Sequence, residues 1–177
     1  TFVKKIGSNY YYELNGIRAA GIVPYYIKDN ITPMILINQE IRNNKIVYNC
    51  IGGKVDKYDK TIYDTMCREF NEETGFLMSD KIRDKINNKN NKKVHLIKPK
   101  YISLLMEIEY DQEWELLPYN YDKIYEGIEI FNDRDSLKLL WVELFDFNYE
   151  NSSYLLSYLL SNIRNLLYFR NYDENRE

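Results

Sequence analysis

The chain has 177 residues, 45% of them apolar and 29% charged, with a formal net charge of −3; that length suits one domain, 1–177, with a single core. No stretch approaches the roughly 20 apolar residues that a membrane span needs, and Thr1-Phe2-Val3-Lys4-Lys5 lacks the apolar run of a secretory signal. Cys50 and Cys67 make no disulfide framework and match no metal-ligand spacing, which points to an intracellular, cytoplasmic protein with reduced thiols and no membrane partner.

Residues 17–27, rich in β-branched and aromatic side chains, predict a strand in which Pro24 marks an edge or a bulge. Two further apolar runs follow, Pro33 to Ile37 and Lys45 to Ile51, before Gly52-Gly53 breaks the pattern. From Thr61 to Thr74 the period changes. Ile62, Met66 and Phe70 recur every fourth residue with Cys67 beside them, the buried stripe of a helix. Thr61 or Asp59 caps its start, and Gly75 sits where a helix commonly ends. Residues 80–93 are polar, with Asn87-Asn88-Lys89-Asn90-Asn91-Lys92-Lys93 at their centre, and predict an exposed loop. Strand character returns at Tyr101 to Tyr110 and Leu139 to Phe145. Tyr154 to Phe169 then places Leu155, Leu159, Ile163, Leu166 and Leu167 at helical spacing. Strands interleaved with two helices indicate an α/β protein, a mixed sheet flanked by helices.

Charge is unevenly spread. Lys81, Arg83, Lys85, Lys89, Lys92, Lys93, Lys98 and Lys100 face only Asp80 and Asp84 within their own segment, while acidic residues gather at Glu69 to Glu73 and from Asp111 to Asp135. The basic segment Lys81–Lys100 is by default a solvated loop; its alternative use is to track a polyanion such as RNA. Tyr10-Tyr11-Tyr12, Trp114 and Tyr119 are by default packing residues, with base stacking as the alternative. His95, the sole histidine, reads as a surface or structural residue, and Cys67 as a buried apolar one.

The chemistry concentrates on the helix from Thr61. Glu69 and Glu73 are four residues apart and Glu69 and Glu72 three, so three carboxylates share one helical surface. Like charges at that spacing cost a helix a few tenths of a kcal/mol per pair, about 0.3 each. An acidic run is ordinarily a solvated face; a hard divalent cation would instead remove the repulsion and keep room for substrate phosphates. Arg68, beside Glu69 and four residues before Glu72, can hold one carboxylate in place.

The order Gly53-Lys54, then Arg68-Glu69-Phe70-Asn71-Glu72-Glu73-Thr74-Gly75-Phe76, resembles the Nudix box, G-x5-E-x7-R-E-U-x-E-E-x-G-U with U a bulky apolar residue. Its second half matches throughout. The middle departs: one extra residue separates Gly53 from Arg68, so the acidic position falls on Lys60, or on Asp59 if the insertion follows it. Asp56, Asp59 and Asp64 are the candidates to replace that glutamate as an outer metal contact. Upstream, Ile17 to Ile27 resembles the family's first core strand, and Leu140-Trp141-Val142-Glu143-Leu144 its tryptophan-bearing strand.

The resemblance implies a Nudix-type α/β/α sandwich and a hydrolase that cuts a diphosphate linkage with magnesium or manganese. Glu69, Glu72 and Glu73 would be the metal ligands, with Glu69, Arg68 and Glu73 catalytic and Gly53 and Lys54 substrate-binding. A further acid from a later loop, Glu126, Glu129, Asp133 or Asp135, would assist. The box names a bond and not a molecule. A nucleoside diphosphate-linked small molecule is the leading substrate; mRNA decapping is the enzymatic alternative, and a non-catalytic Nudix-fold binding module the other.

Overall fold

A computed structural model describes residues 1–7, 9–126, 136–147 and 150–173. A two-stranded hairpin, β1 (Phe2–Ile6) and β2 (Asn9–Glu13), precedes the main sheet. That sheet is built on β3 (Ala19–Lys28), which pairs antiparallel with β4 (Thr32–Arg42) and parallel with β8 (Tyr101–Glu107). β3 and β4 pair only from Tyr25↔Ile35 to Lys28↔Thr32. Beyond that point they part, and the segment of β5 (Lys45–Asn49) and β6 (Gly52–Lys54) fills the fork, pairing first with β4 and then with β3. Pro24 sits in this gap. It is buried in a central strand, not at an edge, and its missing N–H falls between the β6 and β4 pairings. β7 (Lys92–Leu96) flanks β8, and β9 (Lys138–Glu143) pairs with β4.

Alternation along the strands sends side chains into two cores. Ile22, Leu36, Leu104 and Met106 meet α1 (Ile62–Glu73), α2 (Ser79–Lys85) and α3 (Gln112–Ile124) through Met66, Phe70, Ile82, Trp114 and Tyr121. Val23, Ile35, Ile37 and Leu105 meet α4 (Tyr154–Asp173) through Leu156, Leu159, Leu160, Ile163 and Leu167. The result is the expected mixed sheet with helices on both faces.

Two expectations need correction. The segment 80–93 is not one exposed loop. Ser79 to Lys85 is helical because Ile82 buries against the core, and Lys92 onward joins the sheet through the register Lys92↔Leu105 to Leu96↔Tyr101. The described residues also hold four helices, not two. α3 carries Pro118 in its interior, which ordinarily breaks a helix. The carbonyl that Pro118 leaves without an amide is that of Trp114, four residues earlier, and the Trp141 indole donates to it at 3.0 Å. A bond from β9 thus replaces one that the sequence of α3 forbids.

Candidate active site

α1 begins with a reciprocal cap. The Thr61 hydroxyl accepts from the Asp64 amide at 3.2 Å, and the Asp64 carboxylate accepts from the Thr61 amide at 2.8 Å. Asp64 also takes the Lys60 N–H, and Asp56 takes the Tyr58 N–H. Both carboxylates therefore organise the loop's own backbone. At the other end Gly75 has φ of 65°, the left-handed turn that stops the helix.

Asp59 is buried and performs a different task. Its carboxylate accepts from Arg68 Nη2 at 2.9 Å and Nε at 3.2 Å, from the Thr65 hydroxyl at 2.7 Å, and from the Asp56 amide at 2.8 Å. Burial alone would push this carboxyl up; Arg68, the Asp56 amide and Thr65 outweigh it and hold it below the usual carboxylate range. Asp59 stands six residues after Gly53, the spacing of the first acidic position in the box that the sequence resembles. The forward count was the signal; the backward count from Arg68 reaches Lys60, which is exposed.

Arg68 uses the rest of its fork on Glu69 Oε1 at 2.5 Å, Glu72 Oε2 at 3.5 Å and the Lys54 carbonyl at 2.7 Å. Asp59 first, and Glu69 after it, hold the guanidinium even more firmly protonated than usual. Glu73 is buried and accepts the Gly52 amide at 2.8 Å, which ties the last turn of α1 to β6. Gly53 faces Glu69 so closely that a Cβ there would overlap the carboxylate. Below them, the Tyr101 hydroxyl occupies the space that a Cβ on Gly21 or Gly52 would need, 3.6 Å from Cys50 Sγ. Burial pushes Cys50 up to about 12 and Tyr101 well above the ordinary phenol value, so neither ionises near neutral pH.

Where the β6 strand end faces α1, Glu69 lies against Gly53, Glu73 against the Gly52 amide, and Arg68 reaches the Lys54 carbonyl, Glu69 and, more distantly, Glu72. Lys54 projects outward with its ammonium over the Tyr11 ring, which also receives Arg18. Thr1 donates to the Asp59 carbonyl, so the N-terminal hairpin packs on the box loop. Nothing local in Tyr10-Tyr11-Tyr12 signals what it faces. Of the later-loop acids, Glu126 is exposed beyond α3 within 3.9 Å of Lys123; Glu129, Asp133 and Asp135 lie outside the described residues.

The basic segment is dispersed by the fold. Lys81 pairs with Asp111 and Glu113, Arg83 with Asp80 and Asp84, and Lys100 with Glu13. Lys93 lies over Tyr63. His95 is exposed on β7, and Cys67 is half-buried against the α1 core. No described helix is long and apolar enough to cross a membrane.

The carboxylate set is all oxygen and suits a hard divalent ion. It is not a closed cage: among the described residues no three His, Cys, Asp or Glu groups are gathered about one point, and Arg68 Nη1 bridges Glu69 and Glu72.

No family model matches the sequence, and no curated protein matches it. Solved structures do. A Nudix hydrolase from M. smegmatis, RenU, superposes with a TM-score of 0.51 over 87% of this chain and 88% of that one, at 10% identity. The chain has the Nudix fold. The NUDIX domain of Shewanella oneidensis NrtR, solved with ADP ribose, gives a TM-score of 0.48 at 12% identity, over 85% of this chain and 88% of that one. Within the Nudix fold, Gly53 to Phe76 forms the strand end, loop and helix that carry the carboxylates.

Proposed function

We propose that this protein hydrolyses a diphosphate linkage in a nucleoside diphosphate-linked substrate, with Glu69, Glu72 and Glu73 holding magnesium or manganese. The observation that carries the reading is the fixation of the carboxylates: Glu69 by Arg68, Glu73 by the Gly52 amide, and Arg68 by Asp59. A face kept merely for solubility has no need of a buried glutamate or of a glycine that admits one.

The divalent ion would polarise phosphoryl oxygens, acidify the attacking water and offset leaving-group charge. The protein's own part is positioning. Asp59 keeps Arg68 on α1's flank, so that Glu69 is presented toward Gly53 and accepts the proton of the attacking water. Gly53 leaves room for the Glu69 carboxylate against the β6 backbone, and Lys54 meets phosphate charge at the rim. Preorganised groups of this kind lower the barrier because they need no reorientation as charge develops.

Capped RNA is the second substrate to test, but the pairing of Lys81, Arg83 and Lys100 within the fold occupies three of the eight basic side chains that favoured it. A panel of dinucleoside polyphosphates, ADP-ribose, nucleotide sugars and cap-labelled RNA, assayed with magnesium, decides among these. Turnover of a small substrate supports the reading. Cleavage of capped RNA alone replaces it with decapping, and no turnover of any of them leaves a binding module.

A further inference from the structure

A cleft of about 760 Å³ opens between the tip of the β4–β5 hairpin, the β7–β8 turn and the first turn of α4. It shares no lining residue with the carboxylate site. Arg42, Lys45 and Lys98 line it, and no carboxylate does. Arg42 is paired with Glu40, whereas Lys45 and Lys98 enter no ion pair among the described residues. Lys45 and Lys98 come from separate elements, and no carboxylate lining the cleft offsets their charge, as a bound anion would.

The cleft is also built on fixed polar groups. The Ser153 hydroxyl accepts the Leu156 amide at 3.0 Å, capping α4, and donates to Asn49 Oδ1 at 2.6 Å. Asn49 Nδ2 donates to Glu40 at 2.7 Å, and Glu40 holds Arg42. This chain fixes the helix start relative to the hairpin cation. The positive end of the α4 dipole adds to the attraction for an anion. Tyr154 and Tyr158, one turn apart on α4, both line the cleft and are 86% and 61% exposed.

Cations and two exposed aromatic rings in one cleft are the elements that recognise a phosphate and a base together. We propose that this cleft binds a nucleotide unit, phosphate against Lys45, Lys98 and Arg42 and base on a tyrosine ring, as a second site separate from the hydrolytic one. The unit is either a free nucleotide or part of a single strand.

Binding of ADP and of a fluorescent single-stranded RNA decamer to the whole chain tests this, by calorimetry and anisotropy at two salt concentrations. Joint reversal of Lys45→Glu and Lys98→Glu is expected to weaken binding at least tenfold. For the RNA it should also flatten the salt dependence by about 1.4 log units per decade, two phosphate contacts at about 0.7 each. Tyr158→Ala is expected to weaken binding severalfold with the salt slope unchanged. The same reversal at Lys85 and Lys89, outside the cleft, should leave affinity intact. Loss with ADP and RNA alike assigns a free-nucleotide site, and loss with RNA alone a strand site; both support the proposal. Binding of neither probe, or equal losses at the two lysine pairs, overturns it. Hydrolysis of a small diphosphate should be unaffected by the cleft variants, and binding survives as a result even if no substrate is hydrolysed.

Discussion

Asp59 grips Arg68 with both carboxylate oxygens, Oδ2 at 2.9 Å from Nη2 and Oδ1 at 3.2 Å from Nε. The arginine in turn reaches Glu69 and Glu72, so a residue in the loop before α1 controls side chains on its far turn. Asp59→Asn keeps the shape and removes the charge. It should cost about 2 kcal/mol of stability, the range for a hydrogen bond to a charged group, and lower kcat about tenfold through a loosened Glu69. Denaturant melts and steady-state kinetics measure both; unchanged kcat would remove Asp59 from the positioning scheme.

The same pair makes a pH prediction. The Asp59 carboxyl is held below its ordinary value, so its pairing contributes fully above about pH 4 and is lost as pH falls through the lowered native value. Wild type should therefore lose stability faster than Asp59→Asn on acidification, the two curves converging at the acid end. Melting temperatures from pH 7 down to the acid limb test the sign.

Glu69→Gln and Glu73→Gln should each lower kcat by about 100-fold or more while the fold survives, because charge acting on the transition state is lost. Chelation with EDTA should abolish turnover, and magnesium or manganese should restore it. Full activity in metal-stripped protein contradicts the proposed mechanism.

Gly53→Ala tests the close approach directly. A Cβ there overlaps the Glu69 carboxylate, so that side chain must swing away. Activity should fall by at least tenfold, with a lowered melting temperature as the Arg68–Glu69 bond is given up. A variant as active as wild type would show that Glu69 is not needed in its present position.

Trp141→Phe deletes the indole donor to the Trp114 carbonyl. The expected loss is about 1 kcal/mol or more, as for a buried acceptor left unmet. Adding Pro118→Ala restores an amide to that carbonyl, so the double variant should recover part of the loss. Additive losses in the cycle would dismiss the compensation.

The sequence by itself determined the central strands, α1 with its stop, and α4, while it left the cap of α1 open between Thr61 and Asp59. Each is written in local terms: alternating or fourfold apolar spacing, and a glycine at the turn. It also carried the carboxylates, because a motif spaced within one helix fixes which side chains share a face. Tertiary structure decided the rest. α3 was invisible because Pro118 argues against a helix and only Trp141, from another element, supplies the missing bond. β7 and α2 were hidden in a polar stretch whose few apolar residues, Ile82, Val94 and Leu96, matter only once a core exists to receive them. The partner of Arg68, the seat of Lys54 over Tyr11 and the cleft of Arg42, Lys45 and Lys98 join residues far apart in the chain. No local pattern encodes such meetings, since they depend on where the sheet brings strand ends together.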